Sequence, residues 1–245
     1  MTPWVGRLIA LNVGVFFLSM LVPGVQPALG LVPGLIAVRP WTPLTYMFLH
    51  AGFMHLFFNM LSLYFFGPRL EMRLGSRRFA QLYFIAGLTG ALLSLGTPAA
   101  MIIGASGAVF GVMLGYARYW PRTQVLIWGI VPVEARMLVL LMTVISLFGG
   151  RLQPGVAHLA HLGGFLGGWL CLKWFEARTR AAVAHFAPPP PRADASAVDR
   201  WRKIDRATLH PVNAEELDRV LAKLNDSGAN SLSTEEKAFL DRFGN

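Results

Sequence analysis

The sequence predicts an all-α membrane protein, a bundle of six spanning helices followed by a small helical hairpin. Three observations carry this. Hydrophobic residues make up 54% of the 245 residues and charged residues 14%, where an ordinary soluble domain holds about 25% charged. Six apolar stretches recur before the first dense run of charge, most of them close to the roughly 17–25 residues a bilayer crossing needs. The arginines between those stretches alternate in number, the bias that orients a multi-span chain. The single cysteine, Cys171, lies in an apolar stretch and offers no disulfide framework.

A net charge of +9 first suggests a nucleic-acid partner, and its distribution rejects one. Only Glu71 and Glu134 precede Glu176, against eleven Lys and Arg, while from Glu176 onward acids and bases balance. The surplus therefore sits among the apolar stretches, where it marks the cytoplasmic side of a membrane.

Residues 5–22 form the first span. Arg7 ahead of an apolar run also fits the opening of a signal peptide, but no small-x-small cleavage pattern follows. Residues 53–70 and 79–95 form the second and third spans, 106–119 and 133–148 the shorter fourth and fifth, and 156–175 the sixth. Arg69, Arg73, Arg77 and Arg78 join the second span to the third, Arg118 and Arg122 follow the fourth with Arg136 close by, and Arg178 and Arg180 follow the sixth. The alternate connections offer Arg39, no basic residue, and Arg151. Both termini are accordingly expected in the cytoplasm, with the chain in the cell's cytoplasmic membrane. The domain reading is a membrane domain over 1–178, a proline-rich and basic linker over 179–211 containing APPPPR, and a hairpin over 212–245. In the hairpin, Asn213 and Gly228 are expected to bound one helix, and Ser233 with Glu236 to open the next as a capping box.

Polar groups at membrane depth are costly and so ask for a reason. Under this topology the second, fourth and sixth spans all run inward from the outer face. Their unusual residues fall at that end: His55 and Asn59, then Ser106 at the mouth of its span, then His161. Gly107, Gly111 and Gly115 recur every four residues, as do Gly164 and Gly168 one turn beyond His161. Small residues at that spacing let helices approach closely in lipid. Glycines alone would be read as packing, and a serine alone as interhelical hydrogen bonding; the combination points to chemistry. A serine hydroxyl becomes a nucleophile when a neighbouring histidine takes its proton. A helix start favours a developing oxyanion, and His55 and Asn59, four apart on one face, could complete the hole.

Glu71 and Glu134 lie at the cytoplasmic ends of their helices, out of reach of His161, so a hydrolase here would be a Ser–His dyad without a third acid. His158 and His161, three apart, make a metal conceivable, but no cysteine or carboxylate lies at that depth. A bis-histidine haem would need a roomy slot that the glycine faces oppose. No metal and no cofactor are expected. His50 is expected to hold the loop before the second span.

These residues resemble the rhomboid intramembrane serine proteases over roughly residues 41–174. GASG at 104–107 matches the family's G-x-S-G, and AHLGGFLGG from Ala160 matches A-H-x-x-G-x-x-x-G. HAGFMHLFFN from His50 carries H-x-x-x-N, and EMRLGS at 71–76 carries E-x-x-x-G-S. The resemblance implies Ser106 as nucleophile, His161 as general base, His55 and Asn59 at the oxyanion, and Glu71 in a structural network. It implies cleavage of the transmembrane segments of other membrane proteins near the outer face, with 96–105 dipping into the bilayer, 149–155 as a cap and the fifth span as a lateral gate. Two positions depart from the family. Thr42 follows Trp41 where many members have arginine, and Phe110 stands where some have tyrosine beneath the histidine. The competing reading is a catalytically inactive rhomboid-like scaffold for transmembrane clients; such relatives usually lack the serine or the histidine, and this chain has both.

Overall fold

The structure, a computed structural model, describes residues 1–127, 129–148, 157–186 and 195–244. It divides into two compact units, Met1–Ala181 and Ala182–Asn245.

The first unit is mainly helical. Helix α1 (Pro3–Leu21) opens with proline at its first turn, where the missing N–H removes nothing the helix would use. Two short helices, α2 (Val25–Leu29) and α3 (Thr42–Thr45), sit in the connection that follows. That connection is tied to itself by side chains: the Thr45 hydroxyl donates to the Leu29 carbonyl at 2.7 Å and the Trp41 indole N–H to Ala28 at 3.0 Å. Helix α4 (Phe53–Leu74) ends at Gly75, whose φ of +81° turns the chain directly into α5 (Ser76–Leu93). Helix α6 (Ser106–Tyr119) follows, then α7 (Ala135–Phe148) and α8 (His158–Phe186).

Two stretches, Pro3–Leu21 and Ser76–Gly96, are each long and apolar enough to cross a membrane. The pair Thr42–Phe48 and Phe53–Leu74, bent by 93°, makes a third if it is one span. Helix α6 has 14 residues and reaches about 21 Å at 1.5 Å per residue, short of a hydrocarbon layer of roughly 30 Å.

The all-α expectation needs one correction. Strands β1 (Gln124–Ile127) and β2 (Val131–Glu134) pair antiparallel between α6 and α7, with Gly129 at φ +72° in the turn. Val133 and Glu134, read as the start of the fifth span, belong to β2. Hairpin pairing satisfies backbone groups that a helix beginning at 133 would have satisfied internally.

Glu71 pins α1 to the start of α5. Its carboxylate accepts the backbone N–H of Trp4 at 3.0 Å and of Val5 at 3.1 Å, and the Ser76 hydroxyl at 2.7 Å. Those N–H groups are the unpaired donors of α1's first turn, where a negative charge is also favoured by the helix dipole. Glu71 is 2% exposed. Glu71→Ala is therefore expected to lower stability by about 3 kcal/mol, since buried donors lose a charged acceptor; thermal unfolding in detergent micelles measures it, with Glu71→Gln falling between.

Glycines bring α8 against two neighbours at once. A Cβ on Gly164 would overlap the Gly107 carbonyl, and one on Gly168 would lie 2.8 Å from the Gly111 Cα, so these two face α6. Cβ atoms on Gly163 and Gly167 would meet Thr89 of α5. Gly115 departs from expectation: a Cβ there would meet Leu70 and Leu82 side chains at 2.8 and 3.2 Å, so it makes room for α4 and α5 rather than for α8.

The described residues of the second unit include helices α9 (Ala195–Arg202), α10 (Pro211–Ser227) and α11 (Thr234–Phe243). Trp201, Leu217, Val220, Leu224 and Leu240 form its core, and the Trp201 indole N–H donates to Asp241 at 2.8 Å. The sequence reading of 179–211 as a linker thus changes. Helix α8 runs to Phe186, and α9 adds Ala197 and Trp201 to the core that α10 and α11 form, with Phe239 of α11 packed against it. The APPPPR segment and the expected cap at 149–155 lie outside the described residues. Helix α10 begins at Pro211 with His210 as its N-cap rather than at Asn213, while Gly228 at φ +77° ends it. Ser233 and Glu236 form a capping box.

Glu236 also pairs with Lys223 at 2.8 Å and Arg219 at 3.1 Å. Lys223 foremost, with the Ser233 N–H, holds its carboxyl down at about 2. A carboxyl depressed on folding stabilises above its unfolded value, near 4.5, and that stabilisation is lost as pH falls toward about 2. Hydrogen exchange of α10 and α11 amides in the full chain, corrected for intrinsic rates, is expected to lose protection across that window. Glu236→Gln should flatten the dependence.

Candidate active site

Ser106 is the first residue of α6, delivered by an extended segment whose backbone groups all need partners away from water. Those partners come from the first connection. Leu31 and Ile102 exchange both backbone hydrogen bonds at 3.0 and 2.7 Å, the Gly34 N–H donates to Pro98 at 2.9 Å, and the Gly104 N–H donates to Tyr46 at 2.9 Å. Gly104 adopts φ +132°, which a residue with a side chain rarely reaches.

The His161 Nε2 lies 2.8 Å from the Ser106 Oγ, across 55 residues of sequence. Both groups sit in first turns, Ser106 on α6 and His161 on α8. The glycine contact between Gly107 and Gly164 sets how closely those turns approach. The Phe110 ring, one turn beyond Ser106, lies 4.4 Å from the His161 ring and 4.9 Å from Phe165, so the imidazole is stacked on a fixed aromatic pair. Phenylalanine keeps this stacking without offering a hydroxyl.

His55 stands over Gly104. A Cβ on that glycine would fall 2.7 Å from the His55 Cε1, 2.8 Å from its Nε2 and 3.7 Å from the Ser106 Oγ. Only glycine admits the imidazole here. The His55 Nδ1 accepts the Ala51 N–H in a long contact of 3.5 Å, an arrangement that leaves the proton on Nε2, the nitrogen over Gly104. Asn59 is 6% exposed and donates one amide N–H to the His55 carbonyl of its own helix at 2.9 Å. A single N–H is then left for any other acceptor.

His50 is fully buried, edge-on to His55 with ring centroids 5.0 Å apart. Its carbonyl accepts from the Gln26 side chain at 3.3 Å, which links it to the preceding loop. His158 is buried beside His161 at 6.3 Å. Among the described residues no three His, Cys, Asp or Glu side chains are placed to hold a metal. Glu71 is engaged by α1 and Glu134 by Arg136, so neither acid orients His161. Thr42 is fully buried with its hydroxyl on the Arg39 carbonyl at 2.8 Å, so this departure adds nothing to the surface.

Sequence reasoning missed Tyr46. Its carbonyl holds Gly104, and its hydroxyl donates to the Gly87 carbonyl at 2.8 Å while lying against Gly107. Nothing in the apolar run around it singles it out, since its importance comes from a loop folding back under α6.

The sequence profile of the rhomboid domain matches residues 37–177. The chain belongs to the rhomboid family. It is 42% identical over 134 residues to RHOMBOID-like protein 2 of Arabidopsis thaliana, a match that takes in 54% of this chain and 41% of that protein. It is 33% identical over 144 residues to YdcA of Bacillus subtilis, covering 56% and 70%. It is 35% identical over 133 residues to Rhomboid-like protease 3 of Toxoplasma gondii, covering 52% and 49%. The chain thus spans about two fifths of the first of these relatives. The rhomboid match includes Ser106, His161, His55, Asn59 and Glu71 and stops before α9.

Proposed function

We propose that this rhomboid is an intramembrane serine endopeptidase that cleaves transmembrane segments of other membrane proteins. The observation that carries the reading is the 2.8 Å contact between the Ser106 Oγ and the His161 Nε2. In this reading His161 takes the serine proton as the oxygen attacks the scissile carbonyl, then returns it to the leaving amine. The oxyanion forms at the start of α6, where backbone N–H groups and the His55 Nε2–H converge. Phe110 keeps the imidazole plane fixed through both proton transfers. Family membership and the protease named among its relatives support the reaction class.

The arrangement in the membrane follows from the arginines: α1, α4, α5, α6, α7 and α8 are the six crossings, with both termini on the cytoplasmic side. The shortness of α6 supports this, because a helix opened by a looped-in segment starts below the outer surface and delivers Ser106 at depth.

The test is cleavage of a reporter transmembrane substrate by the purified protein in proteoliposomes, together with labelling by a serine-reactive fluorophosphonate. An active protease cleaves and is labelled at Ser106. Binding of the substrate with neither cleavage nor labelling would establish the scaffold reading instead. Within the active reading, His55→Ala is expected to reduce kcat about 10²- to 10³-fold, as for loss of one oxyanion donor. Asn59→Ala should cost less, because one of its donors is engaged by the His55 carbonyl; single-turnover rates rank the two.

A further inference from the structure

A second site lies at the other end of α6. A groove of about 320 Å³ runs between α6, α7 and α8, at the small end of the roughly 300–1,000 Å³ range of ligand pockets. Leu114, Val139, Leu140 and Leu172 form its apolar wall, and Arg118, Arg136 and Lys173 also line it. Arg118 is twelve residues beyond Ser106 on α6, about 18 Å along the helix, so the groove is separate from the serine. Arg136 is shared with a second hollow lined by Trp120, Arg122 and Thr123, which extends the basic end.

The charges there do not cancel. Glu176 pairs with Arg118 and Arg180, and Glu134 with Arg136. Among the described residues no carboxylate lies within ion-pairing distance of Lys173 or Arg122. Five cations thus face two carboxylates. Lys173 also lies 5.9 Å over the ring of Trp169, which is 49% exposed, the pairing of aromatic and cation found at headgroup level. Leu140 is 54% exposed, so the apolar wall is open sideways at α7.

We infer that this groove binds an anionic glycerophospholipid, its phosphate among Arg118, Arg136 and Lys173 and one acyl chain along Leu140 and Val139. A basic pocket between helices at the cytoplasmic side suits an anionic headgroup. The apolar slot explains why the occupant is a lipid rather than a soluble phosphate. A bound lipid would join α7 to α6 and α8, the elements on either side of the groove.

Native mass spectrometry of the full chain in detergent tests this, with phosphatidylglycerol and phosphatidylcholine of matched acyl chains as probes. Phosphatidylglycerol is expected to bind more tightly to the wild type, by about fivefold for each cation engaged and so on the order of 10²-fold for three. R136Q/K173Q should cut the preference to what Arg118 alone supplies, about fivefold, and Thr143→Phe, which fills the groove without touching charge, should weaken both lipids. Equal binding of the two lipids to the wild type overturns the proposal, as does a preference that R136Q/K173Q leaves undiminished. Displacement of the lipid by sn-glycerol-3-phosphate alone would make it a soluble-phosphate site, again overturning it. The wild-type lipid comparison stands even if a variant fails to fold. Ser106→Ala should bind lipid as the wild type does, so failure of the protease reading leaves this result distinct.

Discussion

Ser106→Ala is expected to lower single-turnover cleavage of a transmembrane substrate by about 10⁴- to 10⁶-fold, with His161→Ala close behind and the double variant no slower than Ser106→Ala. The reason is that in the proposed mechanism the two side chains act as one unit. A serine hydroxyl hardly ionises near neutral pH, so without a base 2.8 Å away its oxygen is a poor nucleophile. A base without the serine has only water to activate. Folding should be almost unaffected, since each substitution removes one hydrogen bond at the mouth of a helix, worth about 1 kcal/mol. Unchanged thermal unfolding beside lost cleavage is therefore the diagnostic pattern. Additive losses in the double variant would show that Ser106 and His161 do not work as a pair.

Gly164→Val is expected to damage both fold and activity. Even a Cβ at Gly164 overlaps the Gly107 carbonyl, and backbone cannot rotate aside as a side chain can. Helix α8 must then move outward from α6, at about 1–3 kcal/mol for overpacking. His161 lies one turn before Gly164 and Ser106 immediately before Gly107, so the displacement opens the contact between them. A misplacement of 1 Å can cost about 10²-fold in rate. Gly168→Ala provides the comparison: its Cβ would fall 2.8 Å from the Gly111 Cα, a turn farther from the serine, and should lower stability with a smaller loss of rate. Gly115→Ala meets the flexible ends of Leu70 and Leu82 and should be tolerated. Rates and melting temperatures of the three variants, measured together, separate packing from positioning.

How much of this was legible in the chain differs by element. The spacing of Gly107, Gly111, Gly164 and Gly168 marks two smooth helix faces, and the structure packs those faces on each other. The capping box at Ser233 is equally local and is present. Other features needed partners that no local pattern names. Gly115 shares the i+4 spacing of its neighbours yet faces Leu70 and Leu82, because each four-residue step overshoots a 3.6-residue turn by about 40°. Glu71 stands in a sequence motif, but the groups it holds are N–H donors of α1, 66 and 67 residues away. Tyr46 gives no signal at all, although its carbonyl helps seat Gly104, two residues before Ser106.

By itself the sequence determined composition-driven properties: apolar stretches, the alternation of arginines between them, and the faces on which glycine, serine and histidine recur. Those follow from periodicity and transfer energies, which each segment carries locally. Tertiary structure alone decided which face meets which neighbour. It stood His55 over Gly104, set Thr89 against Gly163 and Gly167, and tied the first connection to the segment that delivers Ser106. Close packing between helices depends on the shape of both surfaces together, and neither sequence segment holds that information alone.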